Sequence, residues 1–410
     1  MTVMDQTARR ETGRIATAVF ALQTLGSGVA VYGIPIYIAE FLRSGTLSAA
    51  VLSVASTVFF VAGALSGLAF GRFGLRNPTA VQLGAVVAGS AAIAAMAARP
   101  DAFVVIGAFA LLGAAFSGGL IVVGTTILVR VFEGRPSGGM ALATSGSSAG
   151  GIVVSPLLAL LLTGHGSLER PFLLIAAGFL VLGCTAASLS RPPAPAALPA
   201  AAPGPDGRTA RLGSHWPLVV AFSLISASQL GATSYMVSLG QARGFAGASL
   251  VVSVATGTAV ASRWIGSAGI RRLGLHRWTL TSFCLQGLGV ALVGVSPAGW
   301  VMFAGAALIG QSLGNTILIR SQVIVEIFGV GVFSRKFAQF QTWTSLGSAV
   351  GPFVLGQILS ASHSYQTAYL SLFAVNMIAA PFLLPWIRAS TRPAPRRTDE
   401  LRPSASSHVR

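Results

Sequence analysis

The constraint that overrides all others in this sequence is a series of long apolar stretches, each about the 20 residues a helix needs to cross a hydrocarbon core. They fall near 15–41, 47–70, 79–98, 102–126, 139–163 and 171–190, and again near 216–240, 248–270, 279–297, 299–325, 337–361 and 366–387. Only 9% of the residues are charged and 53% are hydrophobic, with a mean hydropathy of +0.75. Soluble chains carry about 25% charged residues, so this one has too little polar surface to face water and takes lipid as its solvent. The expected fold is an all-α membrane protein of about 12 transmembrane helices in two six-helix halves.

A formal charge of +17 would suggest nucleic acid in a soluble protein. Here the cations sort by side of the expected bundle instead. Arg9, Arg10, Arg14, Arg72, Arg76, Arg130, Arg135, Arg191, Arg208, Arg211, Arg271, Arg272, Arg277, Arg335 and Lys336 share one side with the tail from Arg388 onward. Arg43, Arg99, Arg170 and Arg243 fall on the other. Short loops rich in Lys and Arg stay in the cytosol, so both termini are expected inside, in the inner (plasma) membrane. An even helix count requires the same. The boundaries are then a cytosolic N-terminus over 1–14, one half over 15–190, a Pro- and Ala-rich cytosolic linker over 191–215, a second half over 216–388 and a disordered cytosolic tail over 389–410. Cys184 and Cys284 sit in apolar runs and read as small buried hydrophobes, with no disulfide framework and no metal spacing. No cofactor is expected.

The halves repeat. Gly124-Thr-Thr-Ile-Leu-Val-Arg130 in the fourth helix matches Gly314-Asn-Thr-Ile-Leu-Ile-Arg320 in the tenth. Gly67-Leu-Ala-Phe-Gly-Arg72 parallels Gly266-Ser-Ala-Gly-Ile-Arg271, and a fifth helix containing Ser155-Pro156 parallels an eleventh containing Gly351-Pro352. Repeated bundles of this kind are the mark of carriers whose substrate site lies at the repeat interface near mid-membrane.

At this point the sequence resembles the major facilitator superfamily. Gly67-Leu-Ala-Phe-Gly-Arg-Phe-Gly-Leu-Arg76 is similar to its cytosolic signature, matching at Gly67, Arg72, Gly74 and Arg76. The signature's Asp slot holds Gly71, so the charged latch of the inner gate is built otherwise, with Glu133 and Arg135 and then Glu326 and Arg335 as candidates. A finer resemblance points to the monocarboxylate and oxalate–formate branch. It rests on Phe132-Glu-Gly-Arg-Pro-Ser-Gly-Gly-Met140 and the Ser/Gly-rich run up to Gly151, with Phe328-Gly329, Gly347 to Pro352 and Ser364-Tyr365 in the second half. The resemblance implies an alternating-access carrier with a central cavity lined by the eighth helix and a substrate-linked arginine in it. Arg263 stands at that place. The branch's usual Asp one turn earlier is Ala259 here, and Lys336 lies at the start of the eleventh helix rather than in its middle. Those departures favour a monoanion over a dianion and leave proton coupling open.

Arg263 is also conspicuous without the resemblance. It precedes Arg271 by about two helical turns, which at 1.5 Å per residue places it about 10 Å inside the cytosolic edge and about 5 Å from the midplane of a 30 Å core. A cation at that depth needs water or a partner, and a guanidinium offers a donor fork matched to carboxylate. Two fates are open to it: a cavity holding an anion, or snorkelling to the cytosolic interface. Tyr32, Gln23, Gln229, Gln311, Asn315 and Gln341 are donors on other cavity helices that could complete a site or merely bridge helices. Pro156 and Pro352 are candidate hinges. The glycine rows, Gly146 to Gly151 among them, read as packing seams. No nucleophile, carboxylate pair or phosphate-cradling loop is placed for catalysis.

The expected function is therefore transport of a small organic anion, with a monocarboxylate as the first candidate and a proton or counter-anion as possible co-substrate. The expected unit is a monomer in the bilayer with no nucleic-acid partner. The rivals are a proton-coupled exporter of hydrophobic drugs, a non-transporting receptor or scaffold, and a membrane enzyme.

Overall fold

A computed structural model describes residues 3–73, 77–131, 145–162, 168–191, 215–328 and 333–390. Among the described residues the chain is helical, without strands. The first rod is α1 (Val3–Ala30) continued by α2 (Ile34–Arg43), then come α3 (Ala49–Phe73) and α4 (Pro78–Ala98). The fourth rod joins α5 (Ala102–Ala114), a π-helical stretch (Ala115–Val122) and α6 (Val123–Val131), and α7 (Gly146–Leu162) and α8 (Glu169–Leu189) follow. The second set is α9 (Trp216–Ala242), α10 (Leu250–Leu273), α11 (Leu275–Val295), α12 (Gly299–Phe328), α13 (Phe333–Ser362) and α14 (Tyr365–Ser390). These rods fall on the twelve apolar stretches of the sequence.

Local chemistry starts and stops them. Asn77 and Asp101 accept from the backbone N–H groups of Ala80 and Val104, capping α4 and α5. Gly274, at φ +81°, allows the abrupt passage from α10 to α11. The helix of the first rod begins at Val3, well before the apolar run, where Met4, Gln6, Ala8 and Glu11 are good helix formers and Glu11 pairs with Arg14 at i,i+3 (3.7 Å).

Among the described residues, nine helices are long and apolar enough to cross a membrane. The rods outside that set are α7, α10 and α13. The apolar parts of α7 and α10, Gly146–Leu162 and Leu250–Arg263, are shorter, and α13 opens with Ser334, Arg335, Lys336, Gln339 and Gln341. These three helices carry much of the polar chemistry of the interface between the halves.

Helices α1 to α8 pack chiefly on one another, as do α9 to α14. Three pairings cross between the sets: α3 with α13, α7 with α10, and α2 with α9. Counting rods, the first two are second-with-eleventh and fifth-with-eighth, and a shift of six rods turns one into the other. The packing thus carries the repeat seen in the sequence.

The apolar core shows how the halves meet. At the end of the bundle away from the chain termini, one continuous cluster runs across the interface, from Leu52 and Phe59 to Tyr235, Met236, Val252 and Leu355. At the terminus-proximal end the core divides. Ile15, Val19, Val123, Ile127 and Leu128 form one cluster, and Leu218, Phe222, Ile225, Phe283, Ile319 and Phe340 belong to a separate one. Among the described residues, the apolar core thus seals the halves together at one end and is divided between them at the other.

Candidate substrate site

The seal consists of inter-half hydrogen bonds over close-packed small residues. Glu40 is fully buried, takes Nε and Nη2 of Arg43 at 2.8 and 2.7 Å, and accepts from Gln241 of the other half at 3.2 Å. A buried carboxylate is tolerable only with such partners. Tyr235 donates to the Ala49 carbonyl (3.1 Å), Gln357 to Ser53 (3.0 Å) and Thr57 to the Ala349 carbonyl (3.0 Å). Deeper in, Ser253 donates to the Gly151 carbonyl at 3.3 Å. Glycine is required at two of these contacts. A Cβ on Gly151 would lie 2.3 Å from Thr256 Cγ2, and one on Gly356 would lie 2.3 Å from Ser53 Cβ.

Beneath the seal lies a cavity of about 60 Å³. Its walls are mainly apolar, including Val31, Pro35, Phe60, Leu230 and Met236, with Tyr32, Thr233, Ser234 and Thr256 as polar members. Tyr32 owes its place to the break between α1 and α2, where its N–H reaches back five residues to the Ser27 carbonyl (2.9 Å) in a π-type step. Tyr37 holds the break by donating to the Val29 carbonyl at 2.9 Å.

Arg263 does not line this cavity. It lies on α10, half-buried, and its Nη2 donates to Ser148 Oγ on α7 at 2.8 Å, across the interface. The Tyr32 phenol lies beside Ser148 and near Arg263. The guanidinium therefore turns toward the opposite half, where a hydroxyl and a phenol meet it. Ser148 and Gly151 share one side of α7 against α10, while Gly146 and Gly150 press onto α1 at Phe20 and Thr24. The Ser/Gly row is thus a packing seam on one face and presents polar groups on another.

The other candidates are dispersed. Gln23 is buried inside the first half against Gly124. Gln229 donates to Gln286 at 3.0 Å, and Gln286 donates to the Ile225 carbonyl and to Asn376 Oδ1, both at 2.9 Å, in a closed network within the second half. Gln311 donates to Ser282 at 3.0 Å. Asn315 is wholly buried against Gly266, its amide O and N both without partners. Gln341 is exposed on α13, bonding Ser345 at 3.0 Å and accepting from Arg320. The structure gathers only Tyr32 and Arg263, through Ser148.

Of the gate candidates, Gly74, Arg76, Glu133 and Arg135 lie outside the described residues, as do the side chains of Arg72 and Arg335. Gly67 faces Ser117 and Val122 on the fourth rod with room for a Cβ at ordinary contact distance. Glu326 lies 3.2 Å from His276 Nε2. Pro156 and Pro352 occur inside α7 and α13, each removing one backbone donor from a helix that crosses the interface.

Two residues bearing on the site escaped sequence reasoning. Ser148 is a small residue in a row of small residues, and only its i,i+3 spacing with Gly151 hints that it shares their cross-interface side. Arg320 reads as an inner-surface cation, yet it is only 5% exposed.

The sequence model described as Major Facilitator Superfamily matches residues 15–299. The chain belongs to the major facilitator superfamily. No curated protein sequence matches it. Solved structures of the same fold include the nucleoside transporter NupG, 14% identical with a TM-score of 0.71 over 92% of this chain and 99% of that one. A bacterial homolog of the human lysosomal transporter Spinster, in an inward-facing and unoccupied conformation, is 14% identical with a TM-score of 0.69 over 95% and 99%. A POT family transporter in complex with 5-aminolevulinic acid is 12% identical with a TM-score of 0.70 over 92% and 96%. This superfamily member is thus a multi-pass membrane protein of transporter type, and identities this low carry the fold alone.

Proposed function

We propose that this superfamily member carries a small organic anion, a monocarboxylate first, by alternating access, with Arg263 as the anchor for the carboxylate. The observation that supports it is the direction of the Arg263 side chain, across the interface onto Ser148 and beside Tyr32. A carboxylate is a stronger acceptor for a guanidinium than a hydroxyl, because it adds an opposite charge and can accept two parallel N–H bonds. An arriving carboxylate would displace Ser148, and with it a bond that ties the two halves. Binding then differs between conformers, which is what a ligand needs in order to drive a switch.

The rest of the reading follows from that step. The terminus-proximal opening faces the cytosol, with the protein in the inner membrane as a monomer and both termini inside. Pro156 and Pro352 act as hinges. The signature loop at Gly67, Arg72, Gly74 and Arg76 closes the inner gate with Glu133, Arg135, Glu326 and Arg335. A proton travels on the cargo acid, or a counter-anion returns. No catalysis is involved. The apolar walls of the 60 Å³ cavity favour a second reading, export of hydrophobic compounds, in which Arg263 is only an interface tie.

Uptake of labelled monocarboxylates into proteoliposomes separates the two. Loss of one partner of a buried charged pair costs about 2–5 kcal/mol, so Arg263→Ala should lower uptake about 30-fold or more while the protein stays folded. Unchanged uptake ends the anion assignment. Loss of drug efflux with no carboxylate transport in the parent protein supports the second reading.

A further inference from the structure

Among the described residues, Arg320 is a cation without a counter-charge. It lies two turns from the terminus-proximal end of α12 and is 5% exposed. Its Nη1 donates to Gln341 Oε1, while its Nε is buried with no partner. Among the described residues no carboxylate pairs with it. A guanidinium offers five donors, and in apolar surroundings an unpaired charge is costly enough that proteins rarely retain one without function. Lys336, also buried, adds a second cation nearer the mouth, 5.1 Å from the Phe328 ring centre.

The location is equally specific. Gln341, Ser345 and Ala349 are spaced at i, i+4 and so lie along one side of α13. At Ala349 that side meets the other half through Thr57, and further along Gly356 packs on Ser53. At Gln341 it is exposed, at the end where the apolar core of the described residues is divided between the halves. Arg320 therefore lies beside this exposed side of α13, bonded to the amide of Gln341. Arg263 points elsewhere, toward α7.

We propose that Arg320, rimmed by Gln341 and Ser345, is a second oxyanion site in the cleft wall, taking a carboxylate, sulfate or phosphate group independently of the cargo held at Arg263. Occupation would supply the missing counter-charge, with Gln341 swinging from acceptor to donor as its amide turns. The oxyanion could be a soluble anion entering the cleft or a lipid phosphate reaching in from its edge.

The test uses the full chain with Arg263→Gln, so that the other site is silent, in nanodiscs of phosphatidylcholine. Succinate and sulfate are each compared with sodium chloride at equal ionic strength, and a second arm adds phosphatidylglycerol. The melting temperature should rise by at least about 2 °C with a soluble oxyanion, with phosphatidylglycerol, or with both. The arm that responds identifies the source, and Arg320→Gln should abolish the response. A further variant guards against failure of Arg320→Gln to fold. Gln341→Glu supplies a tethered carboxylate, and should raise the anion-free melting temperature and remove the response. No response in either arm, together with no gain from Gln341→Glu, overturns the proposal. So does a response that persists in Arg320→Gln.

Discussion

If the sealed end is held by the close approach of α7 and α10, a single methyl group should move the conformational equilibrium. Gly151→Ala places a Cβ 2.3 Å from Thr256 Cγ2 and 2.8 Å from its Cβ and Oγ1. Thr256 is short, β-branched and buried, so it has nowhere to go. All three close atoms belong to the other half, so the clash exists only while the seal is closed. Overpacking of this kind costs about 1–3 kcal/mol, which moves an equilibrium by about 5- to 150-fold. The gain from replacing a helical glycine by alanine, about 1 kcal/mol, is the same in both conformers and cancels between them.

Cysteine labelling in nanodiscs can read the shift after Cys184 and Cys284 are changed to serine. Ser53→Cys reports on the sealed end, where Ser53 is wholly buried, and Gln341→Cys on the open end. Gly151→Ala should speed labelling at 53 and slow it at 341. Adding Thr256→Gly should restore both rates. Unchanged rates at both positions would refute the close approach as the seal. Faster labelling at both would mean general loosening, which refutes it equally.

The remaining expectations concern the polar groups. Ser148→Ala and Tyr32→Phe should each change the apparent KM for a transported monocarboxylate less than Arg263→Ala changes uptake, and Ser148→Ala should also speed exchange between conformers by removing the 2.8 Å tie; equal losses from all three in the uptake assay would contradict a hierarchy led by the guanidinium. Gln286→Leu strands Gln229, Asn376 and the Ile225 carbonyl, and three intramembrane bonds at about 0.6 kcal/mol each should cost about 2 kcal/mol in thermal stability with KM unaltered. A changed KM would return Gln229 to the substrate site. Asn315→Leu removes two unpaired buried atoms and should raise the melting temperature, since each such atom costs about 1–3 kcal/mol. A fall would reveal a water or ligand partner at that position.

The fold was legible because the bilayer simplifies it. Once backbone groups must be satisfied within each segment, apolar length alone marks the rods, and the matched Gly124-to-Arg130 and Gly314-to-Arg320 segments expose the repeat. The start of the first helix was less legible, because the residues before Arg14 are mostly polar, and apolar length is no guide to a helix there. The weak spans were informative in their weakness. α10 and α13 lose apolar length where Arg263 and Gln341 enter, which is where the interface between the halves demands polar groups.

The site was legible only as far as charge is. Arg263 announces itself by the expense of a guanidinium at its depth, and its partner Ser148 does not, since a serine in a glycine row has no such expense. Glutamines and asparagines were the least legible, because Gln229 in a closed network and Gln341 on an open wall look alike in sequence and differ only in what stands opposite. Arg320 is the instructive case. Its symmetry with Arg130 suggested a shared place near the inner surface, but symmetry of sequence fixes depth along the helix and not the direction of a side chain. With Arg320 turned inward under Gln341, the second half holds two guanidiniums among its helices rather than one, and the preference for a monoanion, which followed from a lone cation, holds only while the second guanidinium binds independently of the cargo. Comparing mono- and dicarboxylate uptake in Arg320→Gln decides it: a selective loss of the dicarboxylate makes both cations part of one recognition path, and equal effects on both substrates leave Arg263 as the sole determinant of cargo charge.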